Sequence, residues 1–155
     1  MLRLLLVSDT HGDVRALQAA IDAQPTASLL VHVGDGANDL ARIAEFCPIR
    51  AIQVAGNCDL ASALPDTEEF VFANHRFFAT HGHRYGVKAD LYRLSCVGRS
   101  SAVHAVLFGH THRPLALFDD GIYLINPGSL RDGNYATIDV DPAGGMVPNL
   151  IKLRY

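Results

Sequence analysis

The sequence predicts an α/β fold of two sheets packed face to face with helices outside, and three observations carry that expectation. Apolar, β-branched runs at residues 4–7, 29–33 and 49–54 are joined by helix-like stretches at 14–23 and 37–46, the pattern of parallel strands linked by helical crossovers. Beyond Pro65 the texture changes to paired short runs separated by turn residues, which predicts a second, more antiparallel sheet. A chain of 155 residues can cover both sheets, because domains of this size bury roughly two-thirds of their unfolded surface.

Each element has a local reason. Leu4-Leu5-Leu6-Val7 is apolar without alternation, as a central strand covered on both faces requires. Asp13 stands where its side chain can cap the helix that follows. Runs 70–73 and 76–79 flank Asn74-His75, and runs 115–118 and 122–125 flank Asp119-Asp120-Gly121, so both pairs predict hairpins. Between them, 88–101 has helical spacing through Leu91, Leu94 and Val97, and 103–108 predicts a buried strand. Two closing strands, 135–140 and 146–153, surround the turn sequence Asp141-Pro142-Ala143-Gly144-Gly145. No repeat or linker divides the chain, so one domain over 1–155 is expected.

Composition narrows the function classes. A net charge of −3 argues against a surface built to hold duplex nucleic acid, which needs a basic face. The apolar opening reaches Ser8-Asp9 too soon for a signal sequence or a membrane span. Three cysteines, Cys47, Cys58 and Cys96, form no paired motif and suit a reducing compartment. A soluble cytoplasmic protein is expected.

The chemistry lies in five short segments that follow apolar runs: Asp9-Thr10-His11, Gly34-Asp35, Gly56-Asn57-Cys58-Asp59, His81-Gly82-His83 and Gly109-His110-Thr111-His112. Strand ends are where α/β enzymes assemble their sites. Residues two apart on an extended segment project to the same side, so Asp9 and His11 can share an ion. Singly, Gly-Asp is a common turn and the Asn57 loop a common polar loop. Adjacent imidazoles directly after Val106-Leu107-Phe108 would be costly if buried without partners. Carboxylate, imidazole and amide oxygen together suit divalent ions of the Mn, Fe, Zn or Ni kind. The groups exceed what one such ion accepts, whereas two ions about 3.5 to 4 Å apart can share Asp35 and a hydroxide.

In order and spacing these motifs resemble the calcineurin-like metallophosphoesterases, over nearly the whole chain, and most of all the small prokaryotic phosphodiesterase branch related to the retromer sorting subunit. The resemblance implies a four-layer α/β/β/α sandwich of two mixed sheets flanked by helices. It implies that Asp9, His11, Asp35 and His112 hold one metal and that Asp35, Asn57, His81 and His110 hold the other, with His110 and His112 interchangeable as far as the sequence goes. Two divalent ions, manganese first among Ni, Fe and Zn, and a metal-bridging hydroxide that attacks a small-molecule phosphodiester follow from it.

Larger members carry histidine where this chain has Cys58. A free thiol is a poorer proton donor at neutral pH than an imidazolium, so good leaving groups should be favoured. Cys58 is then either a small packing residue or a participant, and His83 either replaces the missing acid, orients a ligand, or is a loop residue. Asp59 is expected to orient its loop, and Asn126-Pro127-Gly128-Ser129 to shape the site. His32, His75 and His104 fall outside the motifs and are expected to be satisfied sheet or surface residues, while Arg84, Tyr85 and Arg113 are specificity candidates. The competing functions are a phosphomonoesterase, including a protein phosphatase, and a metal-binding protein-interaction scaffold; an oligomer is compatible with any of them.

Overall fold

Successive side chains of a strand face opposite ways, so an unbroken apolar run needs cover on both sides. The computed structural model, which describes residues 1–154, supplies that cover. The elements are β1 (Leu2–Val7), α1 (Val14–Asp22), β2 (Ala27–His32), α2 (Asp39–Arg42), β3 (Arg50–Gln53), β4 (Thr67–Phe72), β5 (His75–Thr80), α3 (Tyr92–Ser100), β6 (Ala105–Leu107), β7 (Leu115–Asp119), β8 (Ile122–Asn126), β9 (Asn134–Val140) and β10 (Met146–Lys152). Leu4 and Leu6 enter the core between the sheets with Val31, Phe77, Leu107, Ile125 and Ile138. Leu5 and Val7 face the other way, against Leu17, Ala20 and Ile21 of α1 and Leu40 of α2.

Two five-stranded mixed sheets result, in the orders β10-β9-β1-β2-β3 and β4-β5-β6-β8-β7. The outer face of the second is covered by Leu94 of α3 with Val87 and Val103, packed on Phe78, Val106 and Leu124. The expected four-layer architecture therefore holds, with a single helix in the last layer. No helix of the described residues is long and apolar enough to cross a membrane.

Three expectations shift. The second sheet is parallel at its centre, where β6 pairs with β5 and β8, and antiparallel only at its edges β4 and β7; α3 is the crossover that permits the parallel pairing of β5 with β6. The helix expected at 37–46 is reduced to α2 and a 3-10 turn at Ala44–Phe46. Its first residues are bound into the site, and Cys47, which precedes Pro48, is extended. The helix expected from 88 starts at Tyr92, where the Asp90 carboxylate accepts the Tyr92 N–H at 3.0 Å.

One cross-strand pair ties β9 to β1. Arg3 and Asp139 stand opposite each other in register, and the guanidinium donates Nε and one terminal nitrogen to the two carboxylate oxygens at 2.7 and 3.0 Å. The bidentate bond to Arg3 holds the Asp139 carboxyl below its usual range, against the opposing effect of burial. A depressed carboxyl contributes stability above its unfolded pKa and loses it as pH falls through the folded one. Asp139→Asn is expected to cost about 1 kcal/mol at neutral pH, discounted for partial exposure, and to flatten the stability curve below about pH 4. Urea titrations of both proteins across the acid range check this.

Candidate metal centre

The loops leaving β1, β2, β3, β5 and β6 converge at one rim of the two sheets, because these strands run parallel within each sheet. The backbone there is unusual. Asp9, His11, Asp35, His110 and His112 all have positive φ, between 45° and 70°, a region non-glycine residues occupy at a cost unless their surroundings hold them. Backbone bonds supply the hold: Asp9 N–H to the Gly34 carbonyl at 2.9 Å, His11 N–H to the Asp35 carbonyl at 3.0 Å, and Gly109 N–H to the His81 carbonyl at 3.0 Å. A Cβ at Gly56 would collide with the Asp35 carboxylate, and one at Gly109 with the Ser8 hydroxyl, so both glycines allow loops to close on the carboxylates.

Each side chain is aimed by the atom that does not face the centre. Asp9 Oδ2 accepts the Ser8 hydroxyl at 2.5 Å and the His110 N–H at 3.2 Å, leaving Oδ1 inward. Asp35 Oδ1 accepts the Cys58 N–H at 2.8 Å, leaving Oδ2 inward. His81 Nδ1 lies 2.7 Å from the Val33 carbonyl; a carbonyl only accepts, so Nδ1 donates and the Nε2 lone pair turns inward in the neutral ring. Asp9 Oδ1 then lies 3.6 Å from His11 Nε2, 3.8 Å from His81 Nε2 and 3.2 Å from His112 Nε2. Asp35 Oδ2 lies 3.9 Å from His11 Nε2 and 3.3 Å from His81 Nε2.

These residues fit divalent ions. Asp9 Oδ1, His11 Nε2 and His81 Nε2 are buried and have no hydrogen-bond partner among the described residues. Carboxylate oxygens facing imidazole lone pairs in a dry site repel one another unless a proton or cation lies between them, and an uncompensated buried charge costs several kcal/mol. Ligand atoms of Asp9, His11 and His112, of Asp9, Asp35 and His81, and of His11, Asp35 and Cys58 lie within 4.8 Å of one another. Asp9 faces both groups of imidazoles as fully as Asp35 does. Of the other expected ligands, the His110 ring stacks edge-on to His81 at 5.1 Å, and exposed Asn57 places its amide nitrogen 3.5 Å from Cys58 Sγ. The His83 ring lies 5.5 Å from that of His81 and 6.1 Å from that of His110.

Electrostatics separate the roles. Burial opposes ionisation of Asp35, but a proton on His81 Nε2, whose place a bound cation would take, and the Cys58 N–H outweigh it and hold the carboxyl well below its usual range. Burial, then the charge of Asp35, pushes the Cys58 thiol up. Burial disfavours the protonated forms of His83 and His110 and lowers both.

Supporting residues hold the site together, among them Thr10 and Asp39, which the sequence did not flag. Asp59 accepts backbone N–H groups from Asp35 at 2.8 Å, Gly36 at 3.2 Å, Ala37 at 3.1 Å and Gly56 at 2.8 Å, clasping two loops as its expected orienting role requires. Thr10 donates to Asp39 Oδ2 at 2.5 Å and lies 3.0 Å from His32 Nε2. His32 Nδ1 accepts the Gly34 N–H at 3.1 Å, so Nε2 carries the proton and donates to Thr10. Burial pushes His32 down to about 4, in keeping with this neutral tautomer. Asp39, at the start of α2, had only its position beside Asn38 as a signal. Ser129 donates its hydroxyl to the Asp9 carbonyl at 3.0 Å, and Asn126 its amide to the Gly109 carbonyl at 3.1 Å, so the Asn126–Ser129 loop braces the rim. His75 bonds to the Ala73 and Gly144 carbonyls at 2.7 and 2.6 Å, a satisfied sheet histidine.

Carboxylates and imidazoles gathered at the strand ends of two facing sheets give an α/β protein with a cluster able to hold divalent metal. Residues 2–141 match the model of the calcineurin-like phosphoesterase superfamily domain, and the chain belongs to that superfamily. It is accordingly a phosphoesterase, a hydrolase whose family implies divalent metal ions. It is 29% identical to phosphodiesterase YfcE of Escherichia coli (strain K12), over 91% of this chain and 89% of that protein. Among solved structures that share the fold are a conserved protein of Streptococcus pneumoniae TIGR4 described as a predicted phosphoesterase, at 20% identity with a TM-score of 0.81 over 97% of this chain and 89% of that one, and vacuolar protein sorting 29 of Cryptosporidium parvum, at 17% identity with a TM-score of 0.78 over 99% and 92%.

Proposed function

We propose that the chain is a phosphodiesterase, acting as one domain on a small-molecule diester with two divalent transition-metal ions. Asp9, His11, Asp35 and His112 would hold one ion and Asp35, Asn57, His81 and His110 the other, with manganese the first ion to test. The observation that carries this is the convergence of the unpartnered His11 Nε2 and His81 Nε2 on the inward oxygens of both Asp9 and Asp35. When bound, such ions supply an activated water and positive charge for the phosphoryl oxygens.

The chain's own groups argue that water is the nucleophile. The Ser8 hydroxyl is committed to Asp9 and the Thr10 hydroxyl to Asp39, and the Cys58 thiol is held protonated. His81 keeps its lone pair inward through its bond to Val33, and Asp59 fixes the loop that presents Asp35. The raised pKa of Cys58 makes its thiol a weak acid, and burial disfavours the protonated His83 that could donate, so esters with good leaving groups should react best. That favours diesters, as does the name of the Escherichia coli relative. The free thiols Cys47, Cys58 and Cys96 suit a reducing, cytoplasmic setting.

With manganese present, bis-p-nitrophenyl phosphate is expected to turn over about tenfold faster, or more, than p-nitrophenyl phosphate. A tenfold preference for the monoester would instead make the protein a phosphomonoesterase. Cys58→Ser is expected to change kcat/KM by less than about threefold, whereas loss of a working general acid costs about a hundredfold or more.

A further inference from the structure

Beside the centre runs a groove of about 510 Å³, lined by Val87, Lys88, Leu91, Phe108, Thr111, Arg113, Pro114 and Leu115. Its position follows from the chain: Thr111 lies between His110 and His112, and Phe108 is the last apolar residue before that loop. Phe108 and Val87 are buried and form the floor, while Leu91 and Leu115 are half-buried along the walls. The wall is fixed, because Thr111 Oγ1 accepts the Asn126 amide at 3.0 Å and the Arg113 N–H at 3.1 Å. An apolar cleft of this volume with a few placed polar groups is the form of a small-molecule site.

Its charge contrasts with the rest of the protein. The chain carries a net −3 and the centre is built on Asp9 and Asp35, yet the groove is lined by two cations, exposed Lys88 and Arg113, and by no carboxylate. We infer that this groove holds one arm of the phosphodiester, an arm with a flat apolar body and an anionic group of its own. The apolar floor takes the body, Lys88 and Arg113 take the anion, and the scissile phosphate is left at His110 and His112. This deepens the phosphodiesterase function proposed above and rests on it.

Three p-nitrophenyl phosphodiesters with the same leaving group test it, their second arms being methyl, phenyl and 4-carboxyphenyl. Wild-type protein with manganese is expected to favour phenyl over methyl about tenfold in kcat/KM, for the apolar area buried, and 4-carboxyphenyl over phenyl by up to about tenfold again, for two exposed charge contacts acting together. In the Lys88→Gln/Arg113→Gln double variant the 4-carboxyphenyl to phenyl ratio should fall to about one, and in Leu91→Gln the phenyl to methyl ratio should fall. Wild-type ratios near one, or a variant that lowers all three esters by the same factor, would overturn the proposal. Should manganese-loaded protein hydrolyse none of them, the phosphodiesterase function fails by itself. Calorimetric affinities of the same esters for wild type and variants then decide the groove by the same ratios.

Discussion

Asp35→Asn is expected to lower kcat/KM on an aryl phosphodiester by about a thousandfold or more, a loss of roughly 4 kcal/mol of transition-state stabilisation, and to reduce the bound divalent metal. The change keeps the shape of the side chain and removes its charge. Asp35 Oδ2 is the inward oxygen that faces both His11 and His81, while its other oxygen holds the Cys58 N–H. An amide can keep the second bond through its carbonyl but brings no anion to the centre. Metal content by elemental analysis, measured beside kcat/KM, separates loss of the ion from loss of chemistry. Wild-type metal content together with a wild-type rate would remove Asp35 from the centre.

The largest effect on the fold is expected at Asp59, which the sequence marks as orienting its own loop but not as clasping a second one. Its carboxylate accepts the N–H groups of Asp35, Gly36, Ala37 and Gly56. Asp59→Ala leaves these donors without an acceptor at a partly buried position, where an unmet group costs about 1–3 kcal/mol. Some will reach water, so a total near 3 kcal/mol and a Tm lower by about 10 °C are expected. Metal affinity should fall about tenfold to a hundredfold as well, because the loop that presents Asp35 loosens. Asp59→Asn, whose carbonyl oxygen can keep part of the clasp, should lie between the two. Thermal and urea unfolding check the first effect and metal titration the second; a Tm within 2 °C or so of wild type would mean that water replaces the clasp fully.

Much of this arrangement was legible in the sequence because strand periodicity and ligand chemistry are local properties. The Leu4 to Val7 run required two covers, and both exist. The motifs beginning at Asp9, Asp35, His81 and His110 sit at the strand ends where the apolar runs stop. What escaped depends on contacts between distant segments. The broken helix at 37–46 follows from Asp59, more than twenty residues on, taking the N–H groups of Gly36 and Ala37. The parallel centre of the second sheet depends on β8 returning to β6 past the edge strand β7, which turn chemistry does not specify. The Thr10, His32 and Asp39 network joins residues that no spacing rule connects. Positive φ at Asp9, His11, Asp35, His110 and His112 had only a weak signal, the tolerance of Asp and His for the left-handed region. It is these backbone turns that point the side chains at one another.

The most direct measurement is metal stoichiometry and hydrolysis of bis-p-nitrophenyl phosphate on chelator-treated protein, before and after manganese is added back. Two ions per chain, with turnover absent after chelation and restored by the metal, is the predicted result. Turnover that survives complete removal of the metal, or two bound ions with no hydrolysis of any phosphoric ester, would contradict it.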